Sequence, residues 1–329
     1  MKRLDYYWYT RSSWLVLLTP LSLIYRVITS LRRSAYKLGI LRSTRLPAPV
    51  IVVGNITVGG TGKTPLVAWL AEYLRGKGYK PGIISRGYGG TASSWPQQVR
   101  PDSDPAVVGD EAVLLAAKTG CPMSVAPDRV AAAKALIAHS DCDVILSDDG
   151  LQHYALQRDI EIAVIDGVRR FGTGFLIPAG PLREPVSRLQ AVDLVVINGL
   201  GKEQEHRLGM KQGDAHNLLD RDKVSALHDF RTQTVHAVAG IGNPERFFRS
   251  LQQAGLQLET HPFPDHYPFQ PDDIRFGDGR AVIMTEKDAV KCRHFATAND
   301  WYVPVEAHMS DDFCACLDTL LDTRFPHRG

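Results

Sequence analysis

The residue types best suited to chemistry are concentrated in Gly54-Asn55-Ile56-Thr57-Val58-Gly59-Gly60-Thr61-Gly62-Lys63-Thr64. Glycines at this density let backbone N–H groups close around phosphate oxygens. The lysine that follows reaches the outer phosphates of a nucleoside triphosphate, and the threonine hydroxyl binds Mg2+. Thr57, Val58, Gly59, Gly60, Thr61, Gly62, Lys63 and Thr64 are therefore the candidate nucleotide-binding residues. The general GxxxxGK[ST] spacing asks for glycine where Thr57 stands, which is one departure. A second acidic element follows downstream. Val144-Ile145-Leu146 is a short apolar run ending in Ser147-Asp148-Asp149-Gly150, and a carboxylate at the end of a hydrophobic strand is where a phosphate-loop protein holds its metal. Asp148 and Asp149 join Thr64 as metal candidates, and the choice between the two aspartates stays open.

Three further sites are ambiguous alone. Asp110, in Gly109-Asp110-Glu111, opens a helical stretch and reads as an N-cap. Arg86, in Ser85-Arg86-Gly87-Tyr88-Gly89-Gly90, could meet an anion or stand in a plain turn. His266 lies in the proline-bounded loop Pro264-Asp265-His266-Tyr267-Pro268, where histidine is usually solvated.

The elements that must position these residues are legible around them. Pro49–Val53 is a β-branched run without a polar break, as a buried parallel strand should be. Leu66, Val67, Leu70 and Leu74 recur at helical spacing after the loop, and Gly76 and Gly78 end that helix. Strand-like runs at 82–85, 124–126, 144–146, 161–165 and 193–197 alternate with helical ones, the pattern of a doubly wound parallel sheet. Residues 200–232 are polar and read as a hinge or linker. A second α/β series follows, with strands at 235–239, 256–261, 281–285 and 301–305 and helices at 244–254, 287–295 and 311–323. The expected organisation is a basic helical segment over 1–46, a phosphate-loop core over 47–210, and a linker with a second α/β domain over 211–329.

The chain has 329 residues, 44% hydrophobic and 22% charged, which excludes wholesale disorder and a polytopic membrane protein. Five scattered cysteines form no CxxC, and read as reduced thiols in a cytosolic compartment with no zinc site among them. Residues 1–46 hold nine Lys/Arg against Asp5, or +8; the other 283 residues hold 29 basic and 35 acidic groups, or −6. The acidic body disfavours nucleic acid as a partner. Trp14–Tyr25 is apolar for twelve residues, short of the ~20 that span a bilayer. Thr19-Pro20 reads as an N-cap with proline at the first helical position, and Gly39 as the stop. Leu21, Ile24, Tyr25, Ile28 and Leu31 fall on one stripe, and Ser22, Arg26, Thr29, Arg33 and Lys37 on the opposite one. This predicts a helix lying in the interface of an anionic membrane, with its arginines toward the headgroups.

Taken together, the segments Gly54–Pro65, Ser85–Gly89, Gly109–Glu111, Asp148–Gln152, Pro178–Pro185 and Thr285–Asp288, in this order, resemble the tetraacyldisaccharide 4'-kinase family of lipid A biosynthesis. The resemblance covers essentially the whole chain, and the family's own loop carries the Thr57 departure. It implies two α/β/α domains joined by a short β linker, and a peripheral enzyme on the cytoplasmic face of a bacterial inner membrane. ATP would be the phosphate donor and an acylated disaccharide 1-phosphate lipid the acceptor at its 4'-hydroxyl, with no obligate protein partner. It further implies Asp110 as catalytic aspartate supported by His266. Substrate-side roles fall to Arg86, Glu111, Arg129, Gln152, Arg183 and Glu184, and Thr285–Asp288 would help hold the nucleotide base. The rival reading is a membrane-bound regulatory ATPase. It is disfavoured because that class carries lysine where Val58 stands.

Overall fold

The structure, a computed structural model, describes residues 4–10, 13–199, 201, 205–220 and 222–325. Lys2, Arg3 and Arg11 of the basic head and residues 200, 202–204 and 221 of the polar run lie outside the described residues. The strands in chain order are β1 (Val50–Gly54), β2 (Pro81–Ser85), β3 (Gln97–Val99), β4 (Met123–Val125), β5 (Val144–Asp148), β6 (Ile160–Asp166), β7 (Leu194–Asn198), β8 (His206–Gln212), β9 (Ala215–Asn217), β10 (Val224–Ser225), β11 (Thr234–Ala239), β12 (Gln257–Pro262), β13 (Val282–Thr285), β14 (Asp300–Val303) and β15 (Val305–Met309). The helices are α1 (Leu4–Tyr7), α2 (Thr19–Lys37), α3 (Lys63–Gly76), α4 (Pro105–Val108), α5 (Asp110–Thr119), α6 (Arg129–His139), α7 (Pro244–Gln253), α8 (Glu286–Cys292) and α9 (Asp311–Arg324).

Two sheets result. The first runs β15-β8-β7-β6-β1-β5-β2-β4-β3, parallel except at its two ends; the second runs β10-β9-β14-β13-β11-β12. In β1, Ile51 and Val53 face a core built with α3, α5 and α9, whereas Val50 and Val52 face the core built with α6. Burial on both faces explains why this strand reads as an unbroken apolar run. The second sheet is likewise covered on both faces, by α7 on one and α8 on the other.

The chain does not divide between the sheets at a single point. The polar run expected to be a linker supplies β8, β9 and β10. In β8 only Leu208 is fully buried, so the strand carries too little apolar signal to show in the sequence. After β14 the chain returns. β15 pairs with β8, and Phe313, Leu317 and Leu321 of α9 pack into the first core. Residues 305–325 therefore complete the first body, although the sequence reading assigned them to the second.

The N-terminal helix also departs from expectation. A 3-10 stretch, Ser13–Leu18, runs straight into α2, whose N-cap is Leu18. Thr19 lies inside that continuous segment, and its hydroxyl has no partner. Trp14–Lys37 thus forms 24 residues, long and apolar enough to cross a membrane by length and composition. The helix is tied to the body through its polar stripe. The Ser22 hydroxyl donates to the Leu176 carbonyl at 2.7 Å and accepts from the Ala179 N–H at 3.0 Å. Leu21, Leu23, Ile24, Val27, Ile28 and Leu31 point outward, each more than half exposed.

Candidate active site

The phosphate loop connects β1 to α3. Gly62, the N-cap of α3, has φ +95°, and its side of the loop is closed: a Cβ there would lie 2.5 Å from Asn198 Nδ2. That amide donates to the Thr61 carbonyl at 2.9 Å, and the Asn55 amide donates to Gly59 O at 3.3 Å. No side chain caps the 14-residue helix, so its first N–H groups remain available to an anion. The Pro178–Pro185 segment braces the loop from beside it: Val58 N–H donates to Pro181 O, and Arg183 N–H to Ile56 O. Gln152 and Glu184 belong to this bracing. The Gln152 amide donates to Asn55 O at 2.9 Å and to Glu184 at 2.8 Å, while Tyr154 donates to the other Glu184 oxygen.

At the carboxyl end of β5 the two aspartates are placed differently. Asp149 (φ +50°) turns toward Lys63 Nζ at 3.5 Å and Arg183 Nη1 at 3.0 Å. Burial would raise its pKa, but Lys63 and then Arg183 override this and hold it near about 2. Asp148 is buried, its Oδ1 has no partner among the described residues, and burial, followed by the charge of Glu111, pushes its pKa up to about 7. An orphaned buried carboxylate oxygen at the end of β5, in register with Val53 just before the phosphate loop, fits a divalent cation. Arg129 is buried behind this turn and donates to the Asp149 carbonyl at 3.3 Å; burial lowers its pKa to about 10. Arg86 is exposed.

Asp110 is the first residue of α5 and not its N-cap, which is Gly109 at φ +94°. A Cβ on Gly109 would lie 2.6 Å from the Tyr88 carbonyl, so glycine lets the Ser85–Gly90 loop close on the start of α5. The His266 imidazole comes from the second body and donates from Nδ1 to both Asp110 oxygens, at 3.0 and 3.1 Å. Burial opposes ionisation of Asp110. The His266 hydrogen bond and the Lys287 charge outweigh it, so its pKa is lowered. The same hydrogen bond raises the pKa of His266.

Sequence reading missed Lys287. Its ammonium lies 3.0 Å from Glu111, 3.1 Å from Asp265, 4.0 Å from Asp110 and 3.5 Å from His266 Nε2. Lys291 stands 3.8 Å from Asp110. The Thr285–Asp288 segment places Lys287 beside the Asp110–His266 pair, while Thr285 caps α8 and Asp288 accepts from Gly240 N–H. Position in the Thr285-Glu286-Lys287-Asp288 motif was the available signal, but no spacing rule links Lys287 to Glu111, 176 positions away. The second body also meets the parts of the first body that flank the phosphate loop. Arg246 donates to Asn198 Oδ1 at 3.2 Å, and Arg169 to Gly242 O at 3.3 Å.

These features agree with the comparisons. The family model for tetraacyldisaccharide-1-P 4'-kinase (LpxK) matches residues 14–322. The tetraacyldisaccharide 4'-kinase of Nitrosococcus oceani is 57% identical over 315 residues, covering 96% of this chain and 93% of that protein. That of Alkalilimnicola ehrlichii is 53% identical over 290 residues, covering 88% and 87%. Among solved structures, LpxK from Aquifex aeolicus in complex with ATP superposes with a TM-score of 0.79 at 26% identity, covering 95% of this chain and 99% of that one. With a phosphate loop, an acidic strand end and an Asp–His pair held in one cleft, the chain belongs to the tetraacyldisaccharide-1-P 4'-kinase family.

Proposed function

We propose that the cleft transfers the ATP γ-phosphate to the 4'-hydroxyl of a tetraacyldisaccharide 1-phosphate, with Asp110 as the base. The hydroxyl oxygen forms a bond to the γ-phosphorus, the bond to the β–γ bridging oxygen breaks, ADP leaves, and the hydroxyl proton passes to the Asp110 carboxylate. The carrying observation is the Asp110–His266 pair at 3.0 Å, with Asp110 buried and flanked by Lys287 and Lys291. These cations keep the carboxylate ionised, and the imidazole fixes its orientation. Thr57–Thr64 and Lys63 hold the phosphates. Asp148, Thr64 and Asp149 are the residues suited to Mg2+, which offsets charge on the phosphate oxygens. Arg183 and Arg86 supply cationic surface to the cleft, while Arg129, Gln152 and Glu184 hold its walls, and Glu111 pairs with Lys287. The outward face of α2 supports reading the enzyme as peripheral on an anionic membrane, at the cytoplasmic side where ATP is present.

The test is transfer of label from [γ-³²P]ATP to tetraacyldisaccharide 1-phosphate in detergent micelles. The unaltered chain labels the lipid and Lys63→Ala does not. Labelling by neither would overturn the reading.

A further inference from the structure

Away from the cleft, on the face of the second sheet opposite α7, three metal-ligating side chains converge. His236 lies on β11, and Glu259 and His261 lie two apart on β12, with His236 in register with Glu259. The neighbours Val235, Ala237 and Ala239 point the other way, into the α7 core. His236 and His261 are thus turned together against the ring of Phe276, which stacks on both imidazoles with centroids 3.8 and 4.2 Å away.

We infer that His236, Glu259 and His261 form a site for one borderline divalent transition-metal ion, Zn2+ in the first instance, distinct from the Mg2+ of the kinase cleft. His236 Nδ1 and His261 Nε2 are 2.9 Å apart, His236 Nδ1 and Glu259 Oε2 3.8 Å, and His261 Nε2 and Glu259 Oε1 4.0 Å. Zinc bonds of about 2.0–2.1 Å in a tetrahedron set ligand–ligand edges of ~3.4 Å, and one ligand atom from each residue lies within 4.8 Å of the other two, so small side-chain adjustments close the required triangle. Two imidazoles and one carboxylate are a donor set for Zn2+ rather than for Mg2+ or Ca2+.

The outer contacts are those a metal site needs. A ligating histidine ordinarily donates its second ring N–H to a carboxylate, which fixes the tautomer. His236 Nε2 donates to Asp278 Oδ2 at 3.0 Å, so Nδ1 presents its lone pair toward the other two donors. Without a metal, His261 satisfies that lone pair with its own Nε2–H. A bound ion replaces this contact when His261 moves its proton to Nδ1, with no net proton released. Arg280 Nη2 holds Glu259 Oε2 at 2.7 Å and Arg280 Nε holds Asp278, so Arg280 orients both carboxylates while Oε1 stays turned to His261. Its positive charge also opposes the ion, so replacing it should tighten binding. His236 is almost wholly buried, whereas Glu259 is half exposed and His261 about one-fifth exposed. The ion therefore enters from solvent and keeps water in its fourth position.

The experiment is calorimetric titration of Zn2+ into the chelator-stripped full chain with excess Mg2+ present, alongside Co2+ absorption to read coordination geometry. One equivalent binds, with the Co2+ spectrum tetrahedral. His261→Ala weakens this at least tenfold, Asp278→Asn by about 10–100-fold, and Arg280→Ala strengthens it. His228→Ala, at an exposed histidine elsewhere, leaves it unchanged. If His261→Ala proves unstable, Glu259→Gln, at a half-exposed position, carries the same expectation. Zn2+ bound equally by the unaltered chain, His261→Ala and Glu259→Gln would overturn the site, as would no binding at all.

Discussion

Asp110 is surrounded by opposing influences whose balance can be tested. Burial raises its pKa; the His266 hydrogen bond, then Lys287, more than reverse that. Removing either partner weakens the opposition to burial, so the carboxylate protonates at higher pH and the acidic limb of the kcat profile moves upward. His266→Gln and Lys287→Met should both show this displacement in a pH–rate series. Asp110→Asn should cut kcat by about 10²–10⁴-fold with little change in KM for ATP, the span a general base contributes. Unshifted profiles in both partner variants would sink the positioning role. Asp148 makes a second residue-scale case. With its pKa raised to about 7, protons compete with the metal below that pH and not above it. The Mg2+ concentration for half-maximal activity should climb toward tenfold per unit as pH falls below about 7. Glu111→Gln removes a repelling charge and should move that climb to lower pH.

At the level of elements, the N-terminal helix is the clearest departure from a soluble design. Six large apolar side chains on one face of α2 are each more than half exposed, while Ser22 uses its hydroxyl to fasten the opposite face. The double change Leu23→Glu, Val27→Glu should reduce sedimentation with anionic vesicles about 10²-fold, at ~1.5 kcal/mol or more for each apolar side chain withheld from lipid. Unaltered sedimentation would refute the membrane role of that face. Much here was legible in sequence: the stripe, the proline near the start and Gly39 were all visible. The docking was not, because a serine on a polar stripe gives no hint that two backbone groups 154 and 157 residues away will use it. The same reason hid Lys287. Local periodicity reports an element's type and inner face, whereas a cluster assembled from α5, the loop after β12 and α8 is set by topology. The candidate phosphate and metal residues could be proposed from sequence because they lie on near-consecutive positions at strand ends.

For the molecule as a whole, α9 belongs to the first body's core, with Phe313 fully buried against Trp69 and the α3 face. Phe313→Ala should lower unfolding free energy by about 3–5 kcal/mol, the usual cost of deleting a buried aromatic, measured by chemical denaturation. A loss under ~1 kcal/mol would show that α9 is peripheral. The division into two α/β series was correct in kind, and the misplaced boundary has a plain cause: β14 and β15 are separated by Pro304 alone, so nothing in composition marks the return.

That return makes the second body an insertion within the first. The chain leaves after β8 and comes back at β15, and the two crossings lie side by side, with Gly213 N–H donating to Pro304 O at 3.0 Å. On the ribosome the phosphate loop emerges well before residues 305–325, yet the sheet carrying it stays open at the β8 edge until those residues arrive. The second body, whose strands are contiguous in the chain, can close before that, so the half begun first is finished last. Nucleotide binding then waits on the final helix, and a chain stopped after β14 would carry a complete second body beside an incomplete site.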